Sequence, residues 1–372
     1  MSPYAHITGW GMAVPEKILT NNEIAKMVDT SDEWIHERTG IRERHIASAE
    51  QTSASLAILA SEQALEVANL KPSELDLIIV ASSSPEHIFP STACLVQDKL
   101  GAGKAGAFDL MAACTGFIYA ISTGAQAIRS GSAKNVLIIG TETLSRFTNW
   151  KDRNTCILFG DGAGAFVLQA SETPGGVLSS TLRSDGSGAD LLSLPAGGSF
   201  LPTSHETVNN GQHYIQMNGR EVFRFATRVI AQATREAVEA AELTLEDIDL
   251  IIPHQANQRI IDTAARNLDI PLDRFVINVD RYGNTSTASI PIATCEAIQE
   301  GRLKPGDRVV LVGFGAGLTW GAALIQWSEP FLPEKPIYPF TYRAWVRISS
   351  FMKRLLRHLE GIIWGRKYPG IF

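Results

Sequence analysis

Residues 61–80, SEQALEVANLKPSELDLIIV, match residues 234–253, TREAVEAAELTLEDIDLIIP, without a gap at an offset of 173, with eight of the twenty positions identical. The same offset lays NVLIIG (135–140) on RVVLVG (308–313), two apolar, β-branched runs that each end in glycine. Two matches at one offset mark a duplication. In each copy apolar positions such as Leu65 and Ala68 fall at helical spacing, and a short continuous apolar strand follows, the pattern of a strand covered by helices on both faces. The period is far longer than that of a solenoid. The chain is therefore expected to fold as two similar α/β halves, residues 1–173 and 174–328, fused around one core in a five-layer αβαβα arrangement. Open α/β sheets take ligands at strand ends where connections diverge, so both halves should contribute residues to one pocket.

A chain of 372 residues, 45% hydrophobic and 19% charged, has the size and composition to bury such a core. The start, MSPYAHITGW, lacks the basic and apolar stretches of a secretory leader, and no run reaches the roughly 18 apolar residues of a spanning helix, so a cytosolic protein is expected. Four cysteines at wide spacings, with no C-x-x-C pair, fit neither a zinc site nor a disulfide framework and leave thiols free for chemistry. Residues 331–372 carry a net charge of +6, which leaves −12 on residues 1–330. An acidic body without a basic stripe argues against nucleic acid as the partner.

Candidate chemistry appears in both halves. AFDLMAACTGFIYAISTGAQAIRSG (107–131) reads as a strand, a small-residue turn at Ala112 to Cys114, and a helix ending before Gly131. A thiol at a helix start is favoured as thiolate, the form that attacks a thioester; the bland alternative is a small buried side chain. Cys94, Cys156 and Cys295 lie within helix or strand patterns and read as core. LIIPHQANQRII (250–261) brings His254 to a strand exit, where it could act chemically or cap the next helix. Asn284 follows a glycine in a polar loop and taken alone reads as a turn or cap residue. LVGFGAGLTWGAALIQW (311–327) reads as a glycine-rich turn between strands whose N–H groups could serve an oxyanion, and FGDGAGAFVL (159–168) as a tight interstrand turn. Neither carries the G-K-[ST] of a phosphate loop.

Taken together, TSDEWIHERTGIRERHIA (30–47), AACTGF (112–117), DRNTCILFGDGAGA (152–165), HQANQRI (254–260), GNTSTASIP (283–291) and FGAGLTWGAAL (314–324) resemble the β-ketoacyl-(acyl carrier protein) synthase III family, over about residues 4–328. The resemblance implies a thiolase-like fold and a decarboxylating Claisen condensation that initiates fatty-acid synthesis. Cys114 would take the acyl group of an acyl-CoA, in the first place acetyl-CoA. His254 and Asn284 would stabilise the enolate formed from malonyl-(acyl carrier protein), and the Cys114 and Ala316 N–H groups would hold the oxyanion. Asn284 in place of a second histidine marks the initiating type. Trp34, Arg38 and Arg153 are expected at the adenine end of CoA, with Asn257, Met217 and Phe223 along the pantetheine. Phe89 would reach the acyl pocket of the neighbouring subunit in a homodimer, and Arg224, Arg228, Arg259 and Arg266 are candidates for docking the acidic carrier protein. No metal or redox cofactor is implied. Arg220 and Asn154 depart from the family pattern, which has a smaller polar residue and a glycine there.

The family pattern ends near Trp327, and SEPFLPEKPIYP (328–339) reads as an extended linker. Residues 343–363 then follow helical periodicity, with Trp345, Ile348, Phe351, Met352, Leu355, Leu356, Leu359, Ile362 and Ile363 on one face and Arg343, Arg347, Lys353, Arg354 and Arg357 on the other. Such a helix could lie on an anionic membrane or dock on protein. Two other functions share these features: a synthase-like acyltransferase with another donor or acceptor, and an idle homologue that scaffolds a membrane assembly.

Overall fold

The computed structural model describes residues 3–328 and, beyond them, Ile348, Met352, Leu355 and Leu356. Strands β1 (Tyr4–Ala13), β2 (Leu77–Ala81), β3 (Gly106–Leu110), β4 (Asn135–Thr143) and β5 (Asp161–Ser171) form a five-stranded sheet in the order β1-β5-β4-β2-β3. Strands β6 (Gly176–Ser184), β7 (Leu250–Pro253), β8 (Arg308–Gly315) and β9 (Thr319–Gln326) form a four-stranded sheet in the order β7-β8-β9-β6. The pairing repeats. β2 runs parallel to β4, which is antiparallel to β5, as β7 runs parallel to β8 and β8 antiparallel to β9. The second sheet copies the first without the edge strand β3.

Side chains alternate along each strand, and the alternation builds the layers. Ile78 and Val80 join a cluster with helices α1 (Ser53–Val67) and α2 (Thr92–Leu100) on the outer face of the first sheet. Ile79 and Ala81 point the other way, into a cluster shared with Val309 and Leu311 of the second sheet. Between the sheets lie α3 (Gly116–Arg129) and α6 (Ser289–Gln299), through Phe117, Ile121, Ile290 and Ala293. Val310 and Val312 face α4 (Gly219–Glu239) and α5 (Gln258–Leu268) on the far side. The order is helices, sheet, helices, sheet, helices. Each fully buried Ile or Phe contributes about 1.5–3 kcal/mol, and those of the middle layer hold both sheets at once.

Two expectations are corrected. FGDGAGAFVL is no interstrand turn, because β5 begins at Asp161 and runs unbroken through it. Its glycines admit α6: a Cβ on Gly164 would lie 2.6 Å from the Pro291 Cβ, and one on Gly162 would lie 2.9 Å from Ile292 Cδ1. Cys94 is exposed on α2, whereas Cys114, Cys156 and Cys295 are buried. Most of the expected 343–363 helix lies outside the described residues. Among the described residues no helix is long and apolar enough to cross a membrane.

Candidate active site

Two short 3-10 turns, Ala113–Thr115 and Ser286–Ala288, lead into the middle-layer helices α3 and α6. They are related by the offset of 173, and each opens on a non-glycine residue in the left-handed region, Ala113 at φ 47° and Ser286 at φ 48°. Such backbone costs on the order of 1–3 kcal/mol and persists only where the surroundings hold it. Here each half holds the turn of the other. The end of β8 lies against the first turn so closely that a Cβ on Gly315 would sit 2.7 Å from the Cys114 nitrogen. The end of β4 holds the second turn, with Thr287 Oγ1 donating to Glu142 at 3.1 Å.

Cys114 occupies the first turn, 7% exposed. Burial pushes its thiol up to about 12, with the nearby Ser286 hydroxyl pulling weakly the other way. The helix start was expected to dominate; α3 begins only at Gly116, and desolvation of the charged form outweighs it.

His254 directly follows β7, its backbone N–H donating to the Val312 carbonyl at 2.8 Å. Its ring is buried edge-on to Phe314, and Nδ1 lies 2.7 Å from Ser289 Oγ. That hydroxyl also accepts from the Gln255 N–H at 3.4 Å, and its hydrogen bond with Nδ1 fixes the orientation of the ring, leaving Nε2 as the nitrogen not engaged by it. Burial pushes the imidazole down to about 3, which keeps it neutral. Asn284 is locked by its backbone, which donates to the Leu158 carbonyl at 2.8 Å and accepts from Gly160 at 3.0 Å. Its Oδ1 accepts from the Ser286 N–H at 2.8 Å, leaving the NH2 end for a ligand. Helix capping falls to Asn257, not to His254.

Cys114, His254 and Asn284 line one cavity of about 740 Å³ that also reaches Trp34, Arg38, Asn154, Met217, Arg220 and Phe223. The Arg153 guanidinium lies 4.4 Å from the Trp34 ring centroid and that of Arg38 5.2 Å. Asn257 lines the cavity with its amide engaged at both ends, donating to the Arg38 carbonyl and accepting from the Arg259 N–H. Arg224 and Arg259 line it too, and Arg228 is exposed one turn after Arg224 on α4. Arg266 borders a separate groove with Asp262 and Asp269. Ala316 lines a second cavity of about 100 Å³ beside Cys114, walled by Leu144, Phe147, Leu192, Leu194 and Ile215. Phe89 is 84% exposed and lines neither cavity. Ser289, Ser286, Glu142 and the apolar wall escaped the sequence reading. Only Glu142 left a signal there, a carboxylate at the end of an apolar strand.

A family model for 3-oxoacyl-[acyl-carrier-protein (ACP)] synthase III matches residues 108–186, and one for the C terminal of the same synthase matches residues 238–327. A β-ketoacyl-[acyl-carrier-protein] synthase III of Roseiflexus castenholzii (strain DSM 13941 / HLO8) is 51% identical over 88% of this chain and 99% of its own. One from Caldanaerobacter subterraneus subsp. tengcongensis is 55% identical over 87% of this chain and 98% of its own. The crystal structure of 3-oxoacyl-[acyl-carrier-protein] synthase III from Aquifex aeolicus VF5 has a TM-score of 0.81 and 48% identity, covering 87% of this chain and 100% of that one. The layered duplicate is thus the thiolase-like fold, and the chain belongs to the β-ketoacyl-[acyl-carrier-protein] synthase III family of acyl-transferring condensing enzymes.

Proposed function

We propose that the chain condenses acetyl-CoA, or a similarly short acyl-CoA, with malonyl-acyl carrier protein, giving a β-ketoacyl-acyl carrier protein, CoA and carbon dioxide. One observation carries this: Cys114, His254 and Asn284 converge in a cavity that also reaches Trp34 and Arg38. Adenine would stack at Trp34 between the Arg38 and Arg153 guanidiniums, and pantetheine would run past Met217, Phe223 and Asn257 to the thiol. The thiolate attacks the thioester carbonyl, and N–H groups of Cys114 and Ala316 hold the oxyanion, each such donor being worth about 2.7–4 kcal/mol. Malonyl thioester follows. His254 Nε2–H and the Asn284 NH2 donate to its carbonyl oxygen, on which charge builds as carbon dioxide leaves, and the enolate carbon attacks the acyl-Cys114. Exposed Arg224, Arg228 and Arg259, with Arg266 farther along, offer a basic approach for an acidic carrier.

The 100 Å³ apolar cavity beside the thiol is small against the roughly 300–1,000 Å³ of drug-sized pockets, which favours short acyl groups. Acetyl-CoA and propionyl-CoA should add their acyl mass to Cys114, and octanoyl-CoA should react at least about 100-fold more slowly. Addition of malonyl-acyl carrier protein should then discharge the acyl group into product. Equal rates for acetyl and octanoyl would refute the short-chain reading, and acylation without discharge would point to another acceptor.

β3 is the open edge of the five-stranded sheet, and Phe108, Met111, Ile88 and Phe89 are exposed. An apolar edge strand of this kind favours a homodimer, with Phe89 reaching the partner's acyl cavity. Phe108→Lys should halve the mass seen by sedimentation and cut condensation at least about 10-fold; an unchanged dimer argues against this face.

The tail suits an anionic membrane surface. Its four described residues are helical, and Ile348, Met352 and Leu356 are exposed along one spacing of four. Each basic residue near such a surface adds about 1 kcal/mol. The full chain should float with vesicles containing phosphatidylglycerol and not with neutral phosphatidylcholine, and a chain ending at Ser328 should float with neither. Equal flotation of both chains would sink the idea.

A further inference from the structure

The sequence of α6, SIPIATCEAIQ, carries one charge, Glu296, on a helix packed between the two sheets. A carboxylate there is costly unless donors meet its oxygens. Four do. Asn278 Nδ2 and Arg281 Nη2 donate to Oε2 at 2.7 and 3.0 Å, and the Tyr282 hydroxyl and Arg281 Nη1 donate to Oε1 at 2.6 and 2.9 Å. Glu296 and Asn278 are buried, and Arg281 closes the cluster from its partly exposed side.

All four donors belong to one short segment. Asn278 precedes the helical turn Val279–Tyr282, which leads through Gly283, at φ 61°, into Asn284. At the start of the segment, the Asn278 N–H donates to Gln255 Oε1 at 3.0 Å, and Gln255 Nε2 donates to the Pro253 carbonyl at 2.8 Å and the Val276 carbonyl at 3.0 Å. Asn278 is thereby tied to both neighbours of His254. At its end, Tyr282 stacks on His45 with ring centroids 5.3 Å apart, two residues before Asn284. Seven residues before Glu296, on the same face of α6, Ser289 holds His254 Nδ1 at 2.7 Å. One helix thus grips the His254 ring at its start and, about 10 Å along its axis, the segment that delivers Asn284.

We propose that Glu296 is a positioning residue that sets the spacing between the His254 and Asn284 donors. This rests on those two side chains sharing the carbonyl oxygen of the malonyl thioester. They come from separate segments, and two donors stabilise one oxygen only where they converge; a misplacement of about 1 Å costs on the order of 10²-fold. Glu296 ties both ends of the Asn284 segment to the helix that holds the imidazole. A carboxylate fits because every incoming group donates and its oxygens only accept. Glutamine would turn an NH2 toward two of these donors. The main-chain bonds of Asn284 to Leu158 and Gly160 remain in such a variant, so placement loosens without being lost. The hydrogen bonds of Glu296 go to Asn278, Arg281 and Tyr282 and to no group of the Cys114 turn, which leaves acyl transfer outside its reach.

The test compares the two half-reactions in the full chain. Glu296→Gln should lower kcat for decarboxylation of malonyl-acyl carrier protein about 10- to 100-fold with KM changed less than about threefold. Acylation of Cys114 by acetyl-CoA, read by intact mass, should stay within about threefold of wild type. A residue that only holds the fold together would lower both half-reactions in parallel, and that result overturns the proposal, as does an unchanged kcat. A cycle with His254→Ala gives the second readout. Spacing matters only while both donors are present, so Glu296→Gln should cost the His254→Ala protein less than about threefold in decarboxylation; the full loss in that background overturns the proposal. Should Glu296→Gln not fold, Tyr282→Phe decides, since it keeps the ring on His45 and removes one donor. There the same split between half-reactions is expected at about 3- to 10-fold, and a parallel fall or none overturns the proposal. Failure of the donor reading looks different: the wild-type protein then leaves malonyl-acyl carrier protein intact, or His254→Ala and Asn284→Ala decarboxylate it as fast as wild type.

Discussion

Cys114→Ala is expected to lower condensation by at least about 10⁴-fold while the protein still decarboxylates malonyl-acyl carrier protein. The two halves of the reaction use different groups. Acyl transfer needs a nucleophile on the first turn, and the neighbouring Ser286 hydroxyl cannot replace it, since it would have to be deprotonated beside the buried carboxylate of Glu142. Decarboxylation needs only donors at the thioester carbonyl, and those are set by Ser289 behind His254 and the Ser286 N–H behind Asn284. Neither support touches the Cys114 side chain through these bonds. Removal of one buried sulfur should shift stability by only about 1 kcal/mol, so a loss of activity would not reflect unfolding. Intact mass after incubation with acetyl-CoA, and labelled carbon dioxide released from malonyl-acyl carrier protein, separate the two halves. Acyl mass appearing on the alanine protein would place the nucleophile elsewhere, and peptide mapping would show whether exposed Cys94 had taken it.

The duplication was legible because it survives in residues whose role is the same in both halves, the helix-to-strand segments that end at Val80 and Pro253. The matching of the two turns was not legible. Ala113 and Ser286 share a left-handed backbone, but the segments around them, ACTGF and STASI, share no residue in register. Chemistry has diverged where conformation has persisted. The glycines of β5 were misread for a related reason. A run such as GDGAG ordinarily signals a turn, and only Pro291 and Ile292 pressing on it explain why a continuous strand needs them. Cys114 itself was located by its place before a helix, yet the balance between helix start and burial depends on how much protein covers the thiol, which a local motif does not encode. Ser289 and Glu142 act through contacts with residues 35 and 145 positions away in the chain. Each becomes visible only once the two sheets are stacked.

His254→Ala should slow decarboxylation by about 10²–10³-fold, the loss typical of one donor to a developing oxyanion, and should cost acylation by acetyl-CoA much less. The remaining Asn284 NH2 still faces the carbonyl, which is why the loss is not total. The sign of the pH dependence follows from burial. Desolvation disfavours the imidazolium and pushes the ring from 6.5 down to about 3, so at pH 5 it is still neutral. Wild-type decarboxylation should therefore show no fall with an apparent pKa near 6.5. Stability behaves differently, because in the unfolded chain the ring protonates near 6.5. The contribution of the neutral buried ring is complete above that pH and is lost as pH falls toward 3, at about 1.4 kcal/mol per unit. His254→Ala should lack this part of the acid slope, so denaturant midpoints of the two proteins should change less differently above pH 6.5 than below it. A wild-type decarboxylation rate that halves near pH 6.5 would mean that the ring titrates in contact with water, and the donor role drawn from its burial would then fail.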